Sequence, residues 1–227
     1  MIKYILGDIH NVIKDIDDNS IDFLYTNPPF GITEAKWDKP LDWDNLWLDI
    51  WRVMKPSGIV ALHCSMPFTY TLIQSQTPKY HYCIKKNNKT GFLFCKKQPL
   101  RETEEVLIYY KKPGTYNPQM IGNKERTHIN KKKTKTTGQN YYGTRMLKSK
   151  PTTITYKGYY PSTFLENKLN KRGGKSISDD IITYFIKTYS NEGDTILDMC
   201  CHNKVVGNLV EQLNRNYIGV DINEIKD

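Results

Sequence analysis

Residues 21–30 read Ile21-Asp22-Phe23-Leu24-Tyr25-Thr26-Asn27-Pro28-Pro29-Phe30 (IDFLYTNPPF). The stretch Ile21–Tyr25 is a short apolar run set off by Asn19-Ser20, the pattern of a buried strand. Asn27-Pro28-Pro29-Phe30 follows it at once. In an open parallel sheet, ligands bind beyond the carboxyl ends of the strands, so this loop is the first candidate for a site.

Strands and helices alternate on both sides of it. Upstream, Ile2–Leu6 is a short strand ending at Gly7-Asp8, and Asn11–Ile16 is helix-like. Downstream, Trp43, Trp47 and Trp51 recur at helical spacing with Leu46 and Val53 or Met54 beside them. That stripe reads as the core face of a helix closed by Lys55-Pro56-Ser57-Gly58, not as a stacking platform. Gly58–His63 (GIVALH) is the next strand. Alternation resumes late in the chain with a helix over Asp179–Tyr189, whose apolar face is Ile181, Ile182, Phe185 and Ile186, and a turn at Asn191-Glu192-Gly193-Asp194. A strand over Thr195–Leu197 ends at Asp198, a helix covers Gly207–Leu213, and a strand over Tyr217–Val220 ends at Asp221. The implied class is α/β, a mostly parallel twisted sheet with helices on both faces, in one domain of 227 residues and without internal repeats. Residues 111–160 break the pattern. They are rich in Lys, Thr, Asn and Tyr and lack hydrophobic periodicity, so they read as an insertion outside the core.

Charge marks the same region. The chain carries a net +9, yet residues 121–176 alone hold 14 Lys/Arg against Glu125 and Glu166, a local net of +12. The rest sums to −3. A near-neutral body with one basic segment suits a polyanion such as nucleic acid, or else a solvated Lys-rich loop. Five cysteines without CxxC spacing argue for reduced, intracellular thiols and against zinc. No apolar run approaches the roughly 18 residues of a membrane span. The N-terminus lacks the apolar core of a secretory signal.

The chemistry of Asn27-Pro28-Pro29-Phe30 suits an exocyclic amine. Such a nitrogen is a poor nucleophile because its lone pair is delocalised into the ring. The Asn27 side-chain carbonyl and the Pro28 backbone carbonyl could each accept one of its N–H bonds. With Pro29 completing a rigid frame, they would favour a tetrahedral nitrogen with its lone pair exposed. Phe30 offers an aromatic face for a base taken out of the stack.

With these residues in view, the chain resembles the β-type (permuted) DNA amino-methyltransferases, N6-adenine and N4-cytosine. The resemblance runs through residues 7–41, 55–73 and 90–120 and covers most of the sequence. It implies a Rossmann-like S-adenosylmethionine-dependent methyltransferase fold with permuted motif order. Residues 1–110 would be the catalytic half, 111–172 a basic target-recognition insertion, and 173–227 the cofactor-binding half. Asn27, Pro28, Pro29 and Phe30 match the catalytic loop, and Asn with a final aromatic resembles the N6-adenine enzymes. Asp8, Asp198, Cys200, Gly207 and Asp221 fall at cofactor positions. The insertion would grip double-stranded DNA through Lys131, Lys132, Lys133, Lys135, Arg145 and Lys148. The cofactor implied is S-adenosylmethionine, with no metal, because the sulfonium is already activated. The resemblance also implies a homodimer or a catalytic partner subunit.

Three departures touch the cofactor half. The family's Gly-small-Gly pattern is replaced by His202-Asn203-Lys204, and its Pro-aromatic pair by Met199-Cys200. The segment that lines the methionine end reads Gly173-Gly174-Lys175-Ser176-Ile177-Ser178. Six residues follow Asp221, short of the helix the family places there. Side chains standing where backbone should approach a ligand would cost about 1–3 kcal/mol each. The expectation is therefore an adenine-N6 DNA methyltransferase. The alternative is an inactive pseudo-methyltransferase serving as a DNA- or partner-binding subunit.

Overall fold

The computed structural model of the chain describes residues 1–130, 152–167 and 177–225. In chain order its elements are β1 (Ile2–Leu6), α1 (Ile9–Val12), β2 (Ile21–Thr26), α2 (Trp43–Val53), β3 (Met54–Cys64) and α3 (Phe68–Ser75). Then come β4 (Tyr80–Thr90), β5 (Arg101–Tyr109), β6 (Ile121–Asn130), β7 (Thr152–Tyr159) and β8 (Phe164–Glu166). The last are α4 (Asp179–Tyr189), β9 (Thr195–Asp198), α5 (Val205–Gln212) and β10 (Asn216–Asp221). Two compact units contain them: residues 1–117 with 162–227, and residues 118–161.

In the larger unit the strands form one sheet in the order β1-β10-β9-β2-β3-β5-β4-β8. The five from β1 to β3 are mutually parallel, and β5 runs antiparallel to both β3 and β4. The chain leaves β9 through α5 for β10 on one side, and leaves β2 through α2 for β3 on the other. Right-handed crossovers in opposite directions put their helices on opposite faces. Two cores follow from this. On one face Trp43, Leu46, Trp47, Ile50 and Val53 of α2 pack with Ile13, Leu24 and Leu62. On the other, Ile182, Phe185, Ile186 and Tyr189 of α4 pack with Phe23, Tyr25, Ile196 and Tyr217.

The helices start where side chains can satisfy their free amides. Asp42 accepts from the Asn45 N–H at 3.3 Å to open α2. Ser178 accepts from the Ile181 N–H at 3.4 Å to open α4, whose first turn holds Asp179 and Asp180 against the positive end of the dipole. The tryptophan stripe is core, as its spacing required, with Trp43 and Trp47 buried and Trp51 half-buried. The ammonium of Lys111 lies 5.1 Å over the Trp51 ring.

One local expectation is corrected. Lys55-Pro56-Ser57-Gly58 is not a turn that closes the helix; it belongs to β3, which pairs with β2 at Ile21↔Met54 and, after a register shift, at Phe23↔Ile59. The strand bulges around the proline, which cannot donate to the ladder. The segment 111–160, read as an insertion outside the core, contains β6 and β7, which pair antiparallel in the smaller unit. A two-stranded ribbon wet on both faces has no buried side to impose alternation, so it leaves no periodic signal. Its cross-strand contacts are polar and aromatic: the Arg126 guanidinium sits 3.5 Å over the Tyr159 ring. Residues just before it belong to the larger unit, where the Asn117 amide donates to the carbonyls of Lys187 and Ser190 at 3.2 Å. No helix among the described residues is long and apolar enough to cross a membrane.

Candidate active site at the carboxyl ends of the central strands

The strand order reverses between β9 and β2, which are hydrogen-bonded neighbours at Phe23↔Ile196 and Leu24↔Leu197. Such a switch point opens a crevice beyond the strand ends. Four adjacent strands deliver the candidate residues to it. Asp8 follows β1, Asp221 ends β10, Asp198 ends β9, and Asn27 follows β2. The two loops nearest the reversal are tied together, since the Thr26 hydroxyl donates to Asp198 Oδ1 at 2.8 Å.

Asp198 is 2% exposed. Besides Thr26, it accepts from the Cys200 N–H at 3.2 Å and the Tyr217 hydroxyl at 3.1 Å. Burial outweighs those three donors and pushes its carboxyl up to about 6. The Cys200 thiol is raised well above its ordinary value, first by burial and then by the fields of Asp198, Asp221 and Asp8. Asp8 is exposed and caps α1 through the His10 N–H at 2.9 Å. Asp221 is buried, its Oδ2 accepting from the His202 N–H at 2.8 Å and its Oδ1 from the Asn223 N–H at 2.9 Å.

The loop from Met199 to Lys204 keeps its turn without the family's glycines. His202 takes φ +50, the left-handed conformation a glycine would adopt, and its side chain is exposed. The Asn203 Oδ1 accepts from the Val205 N–H at 3.0 Å at the start of α5. The imidazole is exposed, and the Asn203 side chain is engaged with the Val205 amide rather than standing free. Gly207 has a packing explanation. A Cβ there would collide with the Tyr4 hydroxyl and stand 3.0 Å from the Tyr217 ring, so the missing side chain lets α5 close on the sheet.

On the β2 side, Asn27 is exposed, Pro28 buried, and Pro29 and Phe30 half-buried. Phe30 stacks on Phe68 of α3, with ring centroids 5.2 Å apart and planes 19° off parallel. One aromatic face is thereby engaged within the protein. Asp38 pins the chain that follows. It accepts from the amides of Gly31 (2.7 Å), Ile32 (3.0 Å) and Thr33 (2.8 Å) and from the Thr33 hydroxyl (2.7 Å). Burial would raise the Asp38 carboxyl, but the Thr33 hydroxyl and the three amides hold it below the ordinary carboxylate range.

Behind β2 runs a buried polar relay. His63 is 0% exposed, with Nδ1 2.8 Å from Glu104 Oε1 and Nε2 2.9 Å from the Tyr25 hydroxyl. It fixes the strand that carries Asn27 to β3 and β5. Asp38, Thr26, Phe68 and this relay escaped the sequence reading. A polar Thr at the end of an apolar strand was a visible cue; the others become partners only through folding. Lys131, Lys132, Lys133, Lys135, Arg145 and Lys148 lie outside the described residues.

Known proteins share this architecture. The family model described as DNA methylase matches residues 21–226. The chain belongs to the DNA methylase family. M.BamHI, a type II methyltransferase of Bacillus amyloliquefaciens, is 25% identical over 240 positions, spanning 95% of this chain and 53% of its own length. This family member therefore covers about half of that relative. Among solved structures, the PvuII DNA methyltransferase, titled cytosine-N4-specific, superposes with a TM-score of 0.66 at 12% identity, over 98% of this chain and 82% of that one. The M1.HpyAVI–SAM complex superposes with a TM-score of 0.59 at 18% identity, over 99% and 94%. At such identities the likeness establishes the fold, which is that of the S-adenosylmethionine-dependent DNA methyltransferases.

Proposed function

We propose that the chain is a DNA methyltransferase that moves a methyl group from S-adenosylmethionine to the N6 amine of adenine in duplex DNA. The observation that carries this reading is the Thr26–Asp198 hydrogen bond at the switch point. It holds the amine-accepting loop beside the acid-lined strand ends.

The residues fit the cofactor. S-adenosylmethionine is a cation, and Asp8, Asp221 and Asp198, at the ends of the adjacent strands β1, β10 and β9, give that edge the opposite sign. Asp221, at the end of the strand beside β9, stands where an acid of this fold meets ribose hydroxyls. Asp8, exposed at the end of β1, would meet the adenine. When bound, the cofactor supplies an activated methyl on its sulfonium. The chain's own residues do the remainder. The exposed Asn27 amide and the Pro28 carbonyl accept the two amine hydrogens, Pro29 keeps the frame stiff, and Phe30, backed by Phe68, presents its ring to the extruded base. Asn at the head of this loop and an aromatic at its end support adenine over cytosine. Residues 1–110 and 173–227 would form the catalytic and cofactor halves, and Lys131, Lys132, Lys133, Lys135, Arg145 and Lys148 would hold phosphates.

The test incubates the chain with labelled S-adenosylmethionine and duplex DNA and analyses the nucleosides by mass spectrometry. N6-methyladenine is the expected product. Asn27→Ala should lower methyl transfer at least about 100-fold while calorimetric cofactor binding persists. N4-methylcytosine would replace the adenine assignment. DNA binding without cofactor uptake would leave only the non-catalytic module.

A further inference from the structure

β4 and β5 carry an arm that the methyl-transfer chemistry does not use. β3 ends at Cys64, which pairs with Glu105, but the β4–β5 ladder continues through Ile84↔Glu104 and Lys85↔Thr103 to Thr90↔Arg101. Four residues beyond the end of β3 amount to roughly 13 Å of projection. The direction follows from the pairing. β5 is antiparallel to β3 and to β4, so β4 runs with β2 and β3 and its end leaves by the edge that holds Asn27 and Asp198.

At the tip Phe92, Leu93 and Phe94 are 77%, 93% and 55% exposed. They are held in a hydrogen-bonded turn, with Phe94 N–H donating to the Gly91 carbonyl at 3.0 Å and Gln98 N–H to the Phe94 carbonyl at 3.0 Å. Gly91 enters the turn at φ +88, which glycine reaches without strain. A contiguous apolar tip on an ordered turn is an interaction surface in wait of a partner. The flanks name the partner's sign. Residues 85–101 contain Lys85, Lys86, Lys89, Lys96, Lys97 and Arg101 and no acid, with Lys89 paired to Glu102 at 3.5 Å and Lys85 to Glu166 at 3.7 Å behind the tip. Lys96, Lys97 and Arg101 are exposed beside the apolar trio.

We infer that this arm is a duplex wedge, with Phe92, Leu93 and Phe94 entering between base steps while Lys96, Lys97 and Arg101 hold the adjoining phosphates. Aromatic and aliphatic side chains flanked by cations are the equipment for partial unstacking of DNA. The arm stands two to three strands from β2, roughly 10–14 Å, or three to four base steps, along the edge. Unstacking at that distance would loosen the duplex from which the target base must leave. The inference rests on the proposed reading of the chain as a DNA-acting enzyme and adds a second contact to it.

The test compares the full chain with an F92A/L93A/F94A variant. A closed circular plasmid is relaxed by a type I topoisomerase in the presence of each protein and its linking number is read on a gel. Duplex affinity is measured by anisotropy, and methyl incorporation into the plasmid is followed in parallel. Thermal melts confirm that both chains fold. The parent chain should lower the linking number at saturation. The variant should leave it unchanged and bind duplex about ten- to hundredfold more weakly. A K96A/K97A variant should keep the unwinding and lose about 2 from the slope of log affinity against log salt. Equal unwinding and affinity in the parent and the triple variant, with methylation intact, overturn the wedge alone. A triple variant that turns a dimer into a monomer, or that loses binding to anionic vesicles, with duplex affinity unchanged, reassigns the tip to a second copy or to lipid. A parent chain that neither binds nor methylates DNA overturns the wedge together with the reading beneath it.

Discussion

Replacing Asp198 by Asn should make the protein more stable at pH 8. The carboxylate is 2% exposed at the end of β9, and burial lifts it from 3.8 to about 6 against the pull of its three donors. For an acid whose folded value is raised, the sign runs opposite to the usual salt-bridged case. Below about pH 4 both folded and unfolded chains hold the proton, and the group is neutral in the balance. As pH rises from about 4 to 6 the unfolded chain releases its proton first, so stability falls, and above 6 the full cost is present. About two units at 1.36 kcal/mol each make roughly 3 kcal/mol. Asn is nearly isosteric and carries no charge. Its carbonyl can accept from Thr26 and Cys200, and its amide can donate to the Tyr217 hydroxyl, which reverses its role. The variant should gain about 3 kcal/mol at pH 8, roughly 6–12 °C in melting temperature for a chain of this length, and nothing near pH 4. Urea unfolding followed by tryptophan fluorescence at pH 4, 5, 6 and 8 measures the gap at equal slope. A variant no more stable at pH 8, or a gap that stays constant with pH, would refute the reasoning. An ionised acid kept at such a cost serves function, so the same change should weaken S-adenosylmethionine binding.

Other outcomes follow from the same geometry. Gly207→Ala forces a methyl onto the Tyr4 hydroxyl and should destabilise by about 1–3 kcal/mol; adding Tyr4→Phe removes the obstructing atom and should restore part of the loss in a thermal double-mutant cycle. Asp38→Asn removes the charge that four donors of residues 31–33 share, at a cost of about 1.5–3 kcal/mol at neutral pH. Because the Asp38 carboxyl is held low, its contribution is complete above the ordinary carboxylate range and fades as pH falls through the lowered value, so parent and variant should converge in acid unfolding. His202→Gly relieves a left-handed backbone and should stabilise by up to about 1 kcal/mol while leaving cofactor affinity equal or higher; a marked loss of affinity in calorimetry would assign the imidazole a binding role.

Much of this was legible in the chain itself. The apolar runs at 21–25, 59–63, 195–197 and 217–220 announce buried strands because parallel strands covered on both faces need side chains of one kind, while the run at 2–6 announces a partly exposed edge strand. The i, i+4, i+8 tryptophans announce α2 because a helix shows the core one stripe. The Asn-Pro-Pro-Phe loop, the acids after β1, β9 and β10, and the basic stretch after residue 120 are local signals, and each was readable where it stood. Their assembly was not. That β9 lies against β2, so that Thr26 meets Asp198, depends on pairing residues 172 positions apart. That His202 turns to solvent is a backbone outcome no side-chain inventory reports. That Asp38 reaches back to the amides of residues 31–33, that Glu104 and Tyr25 close on His63, and that an apolar turn at 92–94 emerges at the same sheet edge as Asn27 all follow from strand order and direction. Sequence fixes what each segment prefers through propensity and burial. Which segments become neighbours is settled by the cooperative packing of the whole sheet, where contacts far apart in the chain are won together or not at all.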